Sequence, residues 1–362
     1  MDLNLGGKEH QTVHFPVFLM NHVGLLPKEL YPKGIFVNWW VTSKGGKISK
    51  SKGGAKSIQD EGKVYSVDAI RLFYANTASP FVDIVFEQEE LEKYKNRLER
   101  IYGIVKEIID MKENEISFVD GWLESVFNKR LINIKKNMDV CEFRAVSDDV
   151  YFNLFRDFSW YFKRNGKNKD LMLTLAKKWV LTMGLFTPFI AEELNEMLGE
   201  KGLVSSSLFP RSQKSKLNER LEAIEELVIS TNSDIQKVLE LSKVGKAKRV
   251  TLFVSPEWKY EFFGELKKEF EQKKDIKELI KTFTSKYKEN AQEIAKFIQR
   301  LVKSPVVPEV LNSLEDEYNG ICDAKSFFEN VYGSEVIVVK ADDSDNPKAK
   351  GASPGKVAIF VE

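Results

Sequence analysis

Residues 45–54 read Gly-Gly-Lys-Ile-Ser-Lys-Ser-Lys-Gly-Gly, so that Lys47 and Lys50 alternate with Ser49 and Ser51 between two glycine pairs. A lysine is a mobile point charge on a long stem, suited to meeting negative charge as it develops on a leaving group. The two serines add donors for phosphate oxygens. Flanking glycines give such a loop the backbone freedom to approach a ligand closely. The chemistry this pattern supports is stabilisation of a departing pyrophosphate. A solvated lysine- and serine-rich surface loop is the bland alternative.

A second small constellation stands nearer the start: Gly7-Lys8-Glu9-His10, directly after the alternating Leu3 and Leu5. A glycine followed two residues later by a carboxylate at a strand end can hold ribose hydroxyls, as carboxylates do in other nucleotide folds. All three histidines, His10, His14 and His22, fall within the first 22 residues. His10 and His14 have the i,i+4 spacing of a metal pair. No cysteine completes the set and Glu9 has a better role, so no metal site is expected. His22-Val23-Gly24-Leu25 superficially resembles His-x-Gly-His, but it closes a helical segment before Pro27 and lacks the second histidine.

These groups need elements to position them. Val13 to Leu26 carries Phe15, Phe18, Leu19 and His22 at helical spacing, and an apolar run at 35–41 reads as a buried strand leading into the lysine loop. Ser66-Val67-Asp68-Ala69-Ile70-Arg71-Leu72-Phe73 reads as a helix capped by Ser66 or Asp68. From Glu87 to about Leu198 the period is 3.6: Leu91, Tyr94, Leu98, Ile101, Val105 and Ile108 form one stripe, and Trp122, Val126, Leu131 and Ile134 another. That pattern predicts a helix bundle. Ser205-Ser206-Ser207, Pro210 and Lys214 mark a linker, and Leu217 to Leu241 a further helix. Beyond it, strands at 250–254, 335–339 and 357–361 and helices at 256–272, 275–302 and 323–332 predict a small α/β domain.

Length and composition set bounds. The chain has 362 residues, 55 Lys and Arg against 54 Asp and Glu, and 43% hydrophobic residues, as expected of a globular protein of two or three domains. A net charge of +1 argues against bulk attraction to nucleic acid, so any RNA contact must come from local basic surface. No apolar stretch approaches membrane-spanning length, and Met1-Asp2-Leu3-Asn4 does not read as a signal peptide. The two distant cysteines, Cys141 and Cys322, fit free thiols in a reduced cytoplasm.

The lysine loop resembles the KMSKS signature of class I aminoacyl-tRNA synthetases, with Ile48 in the methionine position. Gly7-Lys8-Glu9 resembles the Gly-x-Asp/Glu element that precedes it there, and Leu185-Phe186-Thr187-Pro188-Phe189-Ile190-Ala191-Glu192-Glu193-Leu194-Asn195 resembles the late helix pair of the anticodon-type bundle. Val254-Ser255-Pro256-Glu257-Trp258-Lys259 and the ending Lys348 to Glu362 look like leucyl-tRNA synthetases of the archaeal and eukaryotic type. The resemblance runs along essentially the whole chain.

That resemblance implies a fragment of a Rossmann-like α/β catalytic fold with its KMSKS-type loop at 1–54 and a stem-contact-type connector at 55–86. An all-α anticodon-binding-type bundle follows at 87–204, a linker and helix at 205–245, and a small α/β tRNA-binding domain at 246–362. It implies ATP binding by Gly7, Glu9, His10, Lys47, Ser49, Lys50 and Ser51, with Lys47 and Lys50 catalytic, and Mg²⁺ as a companion of ATP with no ligand identified. Lys348, Lys350 and Lys356 would meet tRNA phosphates, while exposed Ile359 and Phe360 would stack on bases. The implied activity is that of a leucine--tRNA ligase subunit in the cytoplasm, with tRNA-Leu and an N-terminal-half polypeptide as partners. That second polypeptide would carry the His-x-Gly-His motif and an editing domain. Without it, Val37, Trp39, Trp40 and Val41 are expected to be exposed. The alternatives are a non-catalytic RNA-binding module of the same descent, or the matching half of an isoleucyl- or valyl-type enzyme.

Overall fold

The computed structural model describes residues 3–43, 46–47, 57–78, 81–242, 247–271, 275–301, 307 and 309–362. The chain divides into two compact units. One comprises Met1–Ile116, Val126–Phe162 and Lys167–Ser215; the other comprises Ser117–Ser125, Lys163–Gly166 and Lys216–Glu362.

The first unit opens with β1 (Leu3–Gly7), helix α1 (His14–Leu25) and β2 (Gly34–Asn38), the strands pairing in parallel from Leu3↔Gly34 to Gly7↔Asn38. The expected strand at 35–41 is two strands. At Trp39-Trp40 the chain leaves β2 and enters β3 (Val41–Ser43), which pairs antiparallel with β4 (Gly46–Lys47) and in parallel with β5 (Ile84–Val85). Helices α2 (Ile58–Tyr65) and α3 (Val67–Thr77) follow β4. Ser66, at φ +75°, breaks one helix from the next, and its hydroxyl accepts the Ala69 N–H at 3.2 Å.

The bundle begins with α4 (Gln88–Asp110), whose Leu91, Tyr94, Leu98, Ile101, Val105 and Ile108 are all buried along one stripe. It continues through β6 (Asn114–Glu115), α5 (Phe118–Asp139), α6 (Phe143–Ser147), a π-helical turn at Asp148–Asn153, α7 (Leu154–Lys163), β7 (Lys167–Asn168), α8 (Lys169–Met183) and α9 (Pro188–Met197). Its centre is aromatic and fully paired. Trp179 stacks on Phe158 at 4.7 Å and donates its indole N–H to Val150 O at 2.7 Å, and Tyr151 Oη donates to Met183 O at 2.8 Å. The π turn brings Asp149 beside Asp157, and Arg130 bridges both at 3.2 Å.

The second unit carries α10 (Glu219–Ser242) and a three-stranded sheet in the order β10 (Ala358–Val361), β8 (Arg249–Val254), β9 (Glu335–Lys340). β8 and β9 are parallel; β10 is antiparallel to β8, with Ala358 opposite Phe253. Val250, Leu252 and Val254 have no exposed surface. Helices α11 (Glu257–Glu271), α12 (Ile276–Lys286) and α13 (Ala291–Leu301) share a core of Phe262, Phe263, Leu266, Leu279, Phe283, Ile294 and Ile298. The single helix expected at 275–302 is therefore two, broken where Tyr287 leaves helical backbone (φ −108°, ψ 66°) and turns its ring towards Trp258 and Phe262. Helices α14 (Leu314–Asp323) and α15 (Lys325–Tyr332) precede β9. Arg164 and Glu225 form a buried pair at 2.7 Å, and Arg164 also reaches Asp323 at 2.9 Å.

Candidate functional site

Gly7 ends β1, and a short 3₁₀ turn, Lys8–Gln11, carries the chain off the sheet. The Gly7 N–H donates to His10 Nδ1 at 2.9 Å, so His10 caps the strand end with that nitrogen and presents its other edge outward. A Cβ on Gly6 would sit 2.4 Å from Phe15 Cζ and 2.8 Å from His10 Nδ1, which explains the first glycine by close packing. Phe15 is the one buried residue of α1. A Cβ on Gly7 would sit 2.8 Å from Glu9 Oε2, so the exposed Glu9 carboxylate lies directly over the glycine backbone. The structure thus brings Gly7 and Glu9 together as one small acceptor surface, with Lys8 Nζ 3.9 Å above the Trp39 ring beside it.

The histidines have a packing explanation. His10 meets His14 edge-on at 5.4 Å, His14 stacks on Phe18 at 6.1 Å, and Phe18 lies 4.1 Å from His22. His22 Nδ1 donates to Phe18 O at 2.8 Å. Among the described residues no group of three or more His, Cys, Asp or Glu is placed to hold a metal.

Of the lysine loop, β3 and β4 fix the entry: Thr42 pairs with Lys47 and Ser43 with Gly46. Ser49, Lys50 and Ser51 lie outside the described residues. Beyond the loop, α3 is fastened to the start of α9. Asp68 Oδ2 accepts the Ile190 N–H at 2.7 Å, and Arg71 Nε donates to Phe186 O at 2.7 Å. Burial pushes the Asp68 carboxyl up, against the lowering effect of the Ile190 and Phe189 N–H groups and Arg71. The sequence signalled Asp68 only as a cap for its own helix; its partner is a helix start over a hundred residues away.

Between Gly6-Gly7 and α2 lies a hollow of about 630 Å³ walled by Trp39, Trp40, Ile70, Tyr74 and Phe86, with the carboxylates of Glu9 and Glu61 and the Asn38 amide also lining it. Val37, Trp39, Trp40 and Val41 are half-buried rather than exposed. Exposed apolar surface is concentrated instead on α1 and its flanks, where Met20 is 73% and Leu25 78% exposed and Val13, Val17 and Val23 are exposed as well. The sheet and the aromatic walls partly cover the tryptophans, whereas α1 buries only Phe15.

In the second unit Lys348, Lys350 and Lys356 are all exposed on the segment leading into β10. A 3₁₀ turn, Pro347–Gly351, holds the first two, and Ser353 and Lys356 exchange backbone hydrogen bonds at 3.0 and 2.8 Å around Gly355, whose φ is +73°. Ile359 and Phe360 are half-buried, not exposed. Phe360 packs against Phe253, Ala349 and Ala352, so it fastens the lysine turn to the sheet. A residue not anticipated is Lys259. Its ammonium is buried, donates to Lys350 O at 2.9 Å and Ala352 O at 2.8 Å, and pairs with Glu293 at 2.6 Å. Lys350 and Lys356 share the rim of a hollow of about 390 Å³ with Trp258 and Lys296. Cations around an aromatic ring on a formed turn are a surface suited to phosphate and base.

Two family descriptions match the chain: "tRNA synthetases class I (M)" over residues 7–105 and "Anticodon-binding domain of tRNA ligase" over residues 120–254. A leucine--tRNA ligase of Pyrococcus horikoshii is 30% identical over 370 residues, covering all of this chain and 38% of the relative. One from Methanocaldococcus jannaschii is 31% identical over 367 residues with the same coverage. The chain therefore spans well under half the length of the relatives it matches. A crystal structure of an Agrobacterium radiobacter K84 LeuRS–tRNA–LeuAMS ternary complex aligns with 61% of this chain and 29% of its own, at a TM-score of 0.52 and 20% identity, and so shares its fold. No described helix is long and apolar enough to cross a membrane. The chain is thus similar over its whole length to leucine--tRNA ligases, with a segment that matches class I tRNA synthetases followed by one that matches an anticodon-binding domain.

Proposed function

We propose that this chain supplies the ribose and pyrophosphate contacts and most of the tRNA docking of a cytoplasmic leucine--tRNA ligase. The reaction has two steps: leucine's carboxylate attacks the α-phosphate of ATP and releases pyrophosphate, and the adenylate then acylates the terminal ribose of tRNA-Leu. The observation that carries the proposal is the end-to-end similarity to leucine--tRNA ligases. The Gly7–Glu9 surface fits a ribose: the glycine leaves room that a Cβ would fill, and an exposed carboxylate accepts from hydroxyls. Lys47 and Lys50, with Ser49 and Ser51, would meet the phosphates; His10 would flank the adenine through its outward edge. Mg²⁺ would arrive with ATP, and no group of three or more His, Cys, Asp or Glu among the described residues is placed to hold it. Lys348, Lys350 and Lys356 would pair with tRNA phosphates, and Phe360, packed beside Ala349 and Ala352, would act by shaping that turn.

A polypeptide carrying the His-x-Gly-His motif, the leucine pocket and an editing domain would complete the site. Two features support such a partner. The parallel sheet has two strands among the described residues, whereas parallel sheets are ordinarily covered on both faces, and α1 leaves most of its apolar side chains in water. The test is leucine-dependent ATP–pyrophosphate exchange by this chain alone and mixed with that polypeptide. Exchange only in the mixture, reduced by orders of magnitude in Lys50→Ala with tRNA affinity unchanged, is the expected result. Binding of tRNA with no exchange in either case would favour a non-catalytic RNA-binding module.

A further inference from the structure

Glu61 stands in the first turn of α2 and is 6% exposed, yet its Oε2, closed off from water, accepts no hydrogen bond. The side chain lines the hollow of about 630 Å³ whose other walls are mostly aromatic. A buried carboxylate oxygen left without a donor is unfavourable, and the arrangement becomes favourable when a cation or strong donor enters beside it. The hollow has no basic side chain among its described lining residues: its charged groups are the carboxylates Glu9 and Glu61, and its other polar atoms belong to Asn38, Tyr74 and the two indoles. One of its edges is β1, which pairs only with β2 among the described strands and from which Leu5 projects 61% exposed.

We propose that Glu61 is the receptor for an arginine or lysine side chain of the polypeptide that completes the sheet, inserted between Trp39, Tyr74 and the Gly6-Gly7 turn. This inference rests on the partner reading above. A basic side chain satisfies the observations better than a nucleotide base, because an ionised carboxylate only accepts and a stem of methylenes suits the aromatic walls. The contact makes association depend on one buried charge, which selects against partners that lack a cation at that place.

Glu61→Gln and Glu61→Met test this on the whole chain. In the isolated chain both variants should melt no lower than the parent, and Glu61→Met about 2 °C or more higher, because a buried oxygen without a donor is removed. Affinity for the completing polypeptide should fall roughly thirtyfold or more in both, measured by titration calorimetry, since the incoming cation is left unpaired. A lower melting temperature of the isolated variants would mean that Glu61 is already paired within this chain, and would overturn the proposal. Unchanged affinity would overturn it too. If the parent chain binds no such polypeptide, the partner reading itself fails, and that outcome is separate from the behaviour of the variants.

Discussion

Replacing Lys259 by Met would remove the ammonium that ties α11 to the lysine turn while keeping a side chain of similar length. Nζ donates to two backbone carbonyls, Lys350 O and Ala352 O, and meets Glu293, whose side chain is 44% exposed. Each charge-assisted bond to a carbonyl contributes about 1.5–3 kcal/mol. The half-exposed carboxylate adds about 0.5 kcal/mol after solvent screening. Recovered apolar contact of the Met side chain offsets part of this, and water can reach the carbonyls once the turn loosens, so the net loss should be about 2–4 kcal/mol. Urea denaturation of the full chain, followed by the fluorescence of Trp258 against the other tryptophans, reads that loss in the second unit. The functional consequence is sharper than the energetic one. Released from Lys259, the turn bearing Lys348 and Lys350 should no longer be held ready, and tRNA affinity should fall by about tenfold with a shallower dependence on salt. Full stability together with full tRNA affinity would refute the assignment of Lys259 as the residue that holds this turn. Lost stability with an unchanged salt slope would confine its role to folding.

The glycine pair should separate packing from binding. Gly6→Ala drives a methyl into the Phe15 ring and should destabilise by about 1–3 kcal/mol in urea, whereas Gly7→Ala displaces only the mobile end of Glu9, should change stability by no more than about 0.5 kcal/mol, and should weaken ATP binding. Asp68 gives a pH signature: its carboxyl is held above its ordinary value of 3.8, so its contribution to stability is complete below that value and is lost as pH rises through the folded value. Asp68→Asn, which keeps an acceptor for the Ile190 N–H, should flatten that part of the stability profile measured by thermal melts. Hydrogen exchange on the chain alone should find the amides of β1, β2 and α1 far less protected than those of α4, with protection gained when the completing polypeptide is added.

What could be read from the sequence, and what could not, follows from the range of the interactions concerned. The α4 stripe was legible because burial at 3.6-residue spacing is a local pattern, and all six of its named residues are buried. The Ser66 cap was legible because a hydroxyl and the N–H it meets lie three residues apart. Helix α14 also carries a local signal, a capping box in which Ser313 and Asp316 bond reciprocally. The break at Tyr287 had no such signal: its ring settles against Trp258, and that contact is decided by tertiary packing. The same holds for the division of the run at 34–41, where consecutive apolar residues give no hint that β2 and β3 join different sheets.

The candidate sites divide along the same line. Residue types that do chemistry were found because the chemistry needs them adjacent, as at Gly7-Lys8-Glu9 and in the lysine loop. The residues that position them were not, because Lys259 acts on a turn 91 residues away and Asp68 on a helix start 122 residues away. In a strand such as β10, periodicity states which residues share a face and leaves open which face is covered. The sequence alone leaves Phe360 free to stack on a base, and only the Ala349 and Ala352 packed beside it reveal that the covered face is the one it occupies. Lys259 and Glu61 stand among polar neighbours in the sequence, and only the fold shows that both are buried. Burial of such a side chain is tolerable only if something far along the chain, or on another chain, completes it.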